Sequence, residues 1–230
     1  MVKGQVTLMK KTTRMFLLFL ILAGLCLPLG GCIKTFDCSG YIQSMLDATY
    51  KGEFDAYAEA TQSSVSDIEE DYNQFIDHET DILLHFCGIN ENDVIPEDLT
   101  AQMTAIMKNI CQQVRYTVNE ADRDGNVHIE IEPLDLYNSV YSDFLSFNEE
   151  FRERNNNYEF EDYTDEEFTR EYLEPLIAIL KDHENNLTFR DPVFVDVVVA
   201  PDDDGRYTIS DEEVTQIYNA MINYTIDSSR

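Results

Sequence analysis

The apolar positions of this chain change period along its length, and the changes mark its elements. Behind an apolar run at the N-terminus, Gly40 to Tyr57 reads as a helix, a break at Lys51-Gly52 and a second short helix. From Ser66 to Phe86, residues Ile68, Tyr72, Phe75, Ile82, Leu83 and Phe86 share one 3.6-residue stripe, and Gly88 stands where a helix stop is expected. Pro96, followed by Glu97 and Asp98, opens another helix with the stripe Leu99, Met103, Ile106 and Ile110. The period then drops to two. Val114, Tyr116 and Val118 alternate with polar residues, as do Val127, Ile129 and Ile131, and "DRDGN", Asp122 to Asn126, joins them as a hairpin turn.

Helical spacing returns over Leu136 to Phe151. A polar loop is expected over 152–162, then a helix with Thr164 and Glu167 as a capping box and Pro175 inside it. "VFVDVVV", Val193 to Val199, is the strongest strand in the chain, and Tyr207 to Ile209 is expected to pair back onto it. Ser210 and Glu213 cap the last helix, whose face is Val214, Ile217, Tyr218 and Met221. The pattern predicts an α+β fold: one helix-rich domain with a small antiparallel sheet of three or four strands.

The N-terminal run has a different meaning. Lys3, Lys10, Lys11 and Arg14 precede the 15 apolar residues Met15 to Leu29. A helix needs roughly 20 residues to cross a bilayer core, so the order of basic and apolar regions reads as a secretory signal. Pro28, Gly30 and Gly31 then break the helix. The stretch Leu29-Gly30-Gly31-Cys32 resembles the bacterial lipobox. That resemblance implies cleavage between Gly31 and Cys32 and a diacylglyceryl group on the Cys32 thiol. Cys26 fails the same test because Leu25 precedes it. The implied organisation is a signal peptide over 1–31, a lipidated N-terminus and tether over 32–39, and a folded domain over 40–230. The expected location is the extracytoplasmic face of the cell membrane, held by lipid.

Charge narrows the partners. The chain carries 45 acidic and 16 basic residues, a formal charge of −29. Loss of the leader removes four of the basic residues and none of the acids, leaving −33. Such a surface repels phosphate backbones and anionic head groups, so nucleic acid is excluded as a partner and the lipid alone holds the membrane. The 13 Tyr and 13 Phe, with periodic Ile, Leu and Val, argue for a packed core over disorder.

The candidate chemistry is sparse. Asp202, Asp204, Ile209 and Glu213 fall at positions 1, 3, 8 and 12 of an EF-hand loop, but Arg206 and Tyr207 occupy positions 5 and 6 and a strand precedes the loop. A hairpin turn followed by a helix cap explains each of these residues. His78 and His85 are seven apart, about 10.5 Å along a helix, too far to share one zinc. His128, Glu130 and Glu132 occupy one face of a strand; an imidazole beside carboxylates serves acid–base chemistry if that face lines a pocket, and is a wet strand face otherwise. Cys38, Cys87 and Cys111 remain beyond Cys32, and Cys87 and Cys111 either pair or stay as buried thiols. The chain holds no G-x-S-x-G, phosphate-loop or dinucleotide fingerprint, so no cofactor is expected and no enzymatic role is assigned.

"YIQSMLDATYKGEFDAY" and "GRYTISDEEVTQIYNAMINY", together with the lipobox, resemble uncharacterised lipoproteins of Gram-positive, Clostridia-type bacteria. The opening helix-glycine-helix also faintly resembles the NTF2-like and cystatin-like superfamily, which implies helices cupped in a curved sheet around a small-ligand or hydrolase-like and isomerase-like pocket. The leading expectation is a non-enzymatic, membrane-tethered module that binds a protein or another envelope component. The NTF2-like pocket protein is the alternative.

Overall fold

The computed structural model describes residues 36–90 and 93–227. Gly31 and Cys32, the expected cleavage and lipidation positions, lie outside the described residues, as does the whole expected signal peptide over 1–31. The fold is α+β. Among the described residues it has seven α-helices, a three-stranded antiparallel sheet and a two-stranded ribbon. Two compact units divide them. One holds the described residues up to Phe75, Arg115–Glu132 and Asp191–Met221; the other holds Ile76–Val114, Pro133–Arg190 and the chain from Ile222.

In the first unit, helix α1, Cys38–Leu46, starts two residues before the expected Gly40 because Asp37 caps it, accepting the Gly40 N–H at 2.8 Å. Phe36 to Ser39, expected as tether, therefore belong to the fold. The helix widens into one π-turn, Asp47–Lys51, and ends at Gly52, whose φ of +72° suits glycine. Helix α2, Asp55–Thr61, follows, then the N-terminal part of α3, Val65–Phe86.

The sheet is ordered β1 (Arg115–Val118), β2 (Asn126–Glu132), β3 (Val193–Val198). Ile129 lies opposite Val118 on one side and Val195 on the other. Val127, Ile129, Ile131 and Val197 have no exposed surface, and each such burial stabilises by about 1.5–3 kcal/mol. This inner face is covered by α1 and by the last helix of the unit, Asp211–Met221. Tyr41, Ile42 and Leu46 enter from α1; Ile217 and Met221 enter from the other helix. Tyr207 and Thr208 form a strand as expected, but they pair with Ala200–Pro201, the residues after β3, and not with β3 itself. The cause is the tight turn between them: the Asp202 carboxylate accepts the N–H groups of Asp204 and Arg206, both at 2.9 Å.

The second unit contains the rest of α3, with α4 (Glu97–Cys111), α5 (Leu136–Asn156) and α6 (Asp165–His183). In α4 the expected stripe is almost completely buried, and Met107 and Cys111 widen it. The polar loop expected over 152–162 is shorter, because α5 continues to Asn156. Phe151 holds that turn against the rings of Phe160, Phe168 and Tyr172, while Arg154 bridges Glu159 and Glu171 at 2.6 Å each. Helix α6 begins with the expected Thr164–Glu167 capping box and runs through Pro175. Asp135 gathers Asn138, Asn223 and Arg190 onto one buried carboxylate, which fixes the start of the C-terminal segment.

Candidate functional site

The two faces of the three-stranded sheet divide the labour. Odd positions of β2 and β3 fill the interior, except Val193 at the start of β3, which is exposed, and even positions point outward. His128, Glu130 and Glu132 therefore stand on the outer face of β2, together as expected. The structure adds three neighbours from β3. His128 lies across from Asp196 and Nδ1 contacts its carboxylate; Glu130 lies across from Phe194. The Phe194 ring stacks on the imidazole, centroids 5.1 Å apart and planes 14° from parallel, yet keeps 61 % of its surface exposed. Val198 shares the face and is 45 % exposed.

His128 and Asp196 form an imidazole–carboxylate pair on an open surface. The side chains of His128 and Asp196 are 46 % and 80 % exposed, where water screens the pair. The volume behind the strands is occupied by Val127, Ile129, Val195 and Val197. The outer face offers an aromatic platform bordered by carboxylates, which is chemistry suited to holding cations.

A second feature lies where the chain enters the fold. The Phe36 ring lies on Tyr207, centroids 3.8 Å apart and planes 2° from parallel. Around them is a solvent-open cleft of about 830 Å³, lined by Asp37, Cys38, Ser39, the 120–125 turn and 199–201. Its most prominent acid is committed to structure: Asp122 accepts the Asn126 side-chain amide at 2.7 Å and the N–H groups of Asp124 and Asn126, which hold its carboxyl below the ordinary range. Cys38 has its thiol raised by burial and by the negative charges of Asp37 and Asp122, so it is a poor nucleophile at neutral pH.

The remaining candidates are placed as follows. Asp202 is saturated by its own turn and by the Arg206 guanidinium, and Ser210 and Glu213 form the second capping box. His78 is half-buried, and burial pushes its imidazole down; His85 is exposed. Among the described residues no group of three or more His, Cys, Asp or Glu is placed to hold a metal ion. Cys87 and Cys111 are free thiols in the core of the second unit. Burial pushes Cys87 up to about 12 and Cys111 well above its ordinary value.

Two residues were not singled out in the sequence. Phe194 was submerged in an apolar run, although Asp196, two residues on, marks that parity as the outward one. Glu79 is fully buried within α3 and accepts the Tyr224 hydroxyl at 2.6 Å. Its signal is the gap it leaves in the stripe between Phe75 and Leu83.

No family model matches the chain, and comparison with curated proteins gives no match. Among solved structures, the fold is similar to that of YcdA of Bacillus subtilis, a candidate lipoprotein, with a TM-score of 0.51 at 15 % identity. The likeness covers 81 % of this chain, which spans 56 % of the length of that one. It is a likeness of fold, to a candidate lipoprotein of a Gram-positive bacterium, and it does not extend to the NTF2-like or cystatin-like superfamily. Among the described residues, no helix is long and apolar enough to cross a membrane.

Proposed function

We propose that this chain is an extracytoplasmic lipoprotein, anchored through Cys32, whose folded part is a non-enzymatic binding module of the cell envelope. The observation that carries the binding role is the division of the sheet: the inner face is filled by Val and Ile, and the chemically distinctive residues stand outward on an open surface. An NTF2-like pocket protein needs the reverse, a concave face lined by groups such as His128 and Glu130. The fold likeness to a candidate lipoprotein supports the anchored reading.

The geometry of the entry point supports it as well. Phe36 is already packed in the fold, four residues after Cys32. Four residue steps span at most about 14 Å at ~3.3–3.6 Å each. Two acyl chains on Cys32, at ~0.8 kcal/mol per buried methylene, would hold the module close to the outer leaflet. The acidic surface then turns away from anionic head groups and toward proteins or other envelope components.

Detergent phase partitioning of the membrane fraction tests the reading. Wild type is expected in the detergent phase and Cys32→Ala in the aqueous phase; equal partitioning of the two rejects the anchor.

A further inference from the structure

Among the described residues, the third strand is paired on one side only. In the order β1-β2-β3, the N–H of Val199 turns inward to the Gly125 carbonyl at 3.0 Å, and that of Val198 turns outward to Glu213 Oε1 at 2.7 Å. Backbone direction alternates along a strand, so Phe194 and Asp196 present their N–H and C=O groups to the open edge. Beyond Val198 the edge is closed, by the Glu213 cap and then by the pairing of Ala200–Pro201 with Tyr207–Thr208. What stays open is a short segment, beside the exposed Phe194 ring and flanked by Glu130 and Asp196.

Building on the binding-module reading above, we propose that the open edge of β3 receives an extended, cationic segment of an envelope protein as a fourth strand. Strand addition supplies main-chain hydrogen bonds, and alternate side chains of the incoming segment supply specificity. An arginine or lysine on the outer face of that segment would lie over Phe194 and between Glu130 and Asp196, combining a cation–π contact with charge pairing. A second copy of this chain is the poorer occupant. Self-pairing of the edge would bring Asp196 beside Phe194 or Asp196 of the other copy, and would bring two strongly acidic surfaces together.

The test uses the full-length lipoprotein in detergent and a labelled, blocked hexapeptide that alternates arginine and valine, with its glutamate–valine counterpart as control. Fluorescence anisotropy is expected to show binding of the first peptide and none of the second. Asp196→Pro removes an edge donor and the side-chain contact to His128 while leaving the main-chain bonds to β2 in place, and is expected to weaken binding about tenfold. Phe194→Ala leaves the backbone intact and is expected to weaken it about threefold. Asp196→Asn, which removes charge alone, is expected to fall between wild type and the proline variant. General attraction to an acidic surface would leave the proline and alanine variants within twofold of wild type, and that result overturns the proposal, as does absence of binding to wild type. Partitioning of Cys32→Ala reads the anchor separately, so failure at the edge is distinguishable from failure of the lipoprotein reading.

Discussion

Phe36 lies flat against Tyr207, with ring centroids 3.8 Å apart and planes 2° from parallel, so the fold takes hold of the chain four residues after Cys32. The contact couples the expected anchor to the β-ribbon that follows β3. Rings this close and this parallel approach the face-to-face arrangement, so the contact stabilises through the apolar area it buries, at about 25 cal/mol per Å². Tyr207→Ala is therefore expected to lower stability by about 1–2 kcal/mol in urea unfolding. It is also expected to speed tryptic cleavage after Lys34, because the residues following that bond are no longer held. Unchanged cleavage would show that Phe36 does not restrain the tether.

Asp71 provides a pH signature. Burial, reinforced by the charges of Glu70 and Asp67, raises its carboxyl from 3.8 to about 6. A carboxyl raised on folding adds stability below about pH 4 that is lost as pH rises through about 6. Asp71→Asn is expected to remove that slope and to stabilise the protein at pH 7. A shift of this size corresponds to up to about 3 kcal/mol in a shielded site, and water over the half-exposed side chain reduces the expectation to about 1 kcal/mol. Parallel pH–stability curves for variant and wild type would contradict it.

The thiols should separate cleanly. Cys87 and Cys111 are buried and held protonated, whereas Cys38 is partly exposed. Maleimide labelling of native protein at pH 7 is expected to modify Cys38 and to spare Cys87 and Cys111 by at least about tenfold in rate. Denaturant should release all three. A mass two hydrogens lower, with both core thiols blocked, would show instead that they pair.

Gly125 carries the hairpin between β1 and β2. Its φ is +83°, and a Cβ there would stand 2.6 Å from the Val199 carbonyl oxygen. Gly125→Ala combines backbone strain with a clash against main chain, and is expected to cost about 2–4 kcal/mol. A loss under about 0.5 kcal/mol in urea unfolding would show that the turn relaxes.

The sequence made the local elements legible and left the partnerships between them hidden. Stripes, capping boxes and the "DRDGN" turn all name residues within a few positions of one another, and these matched the structure closely. The spacing marks a strand at Tyr207 but points to β3 as its partner, because the actual pairing with Ala200–Pro201 depends on how tightly Asp202 closes its turn. Helix α5 overran its expected end because aromatic residues up to 21 positions away hold Phe151. The outer-face cluster joins β2 to β3 across 68 residues, so the sequence could show His128 and Glu130 on one face but not Asp196 and Phe194 beside them. The signal was available in part: the lone Asp196 in a run of valines fixes which parity meets water.

The anchor tests the whole account most directly. Intact mass and N-terminal sequencing of native protein from membranes are predicted to give a chain that begins at Cys32 and carries acyl mass on that residue. A chain beginning upstream of Cys32, or an unmodified Cys32, would contradict both the location and the role derived from it.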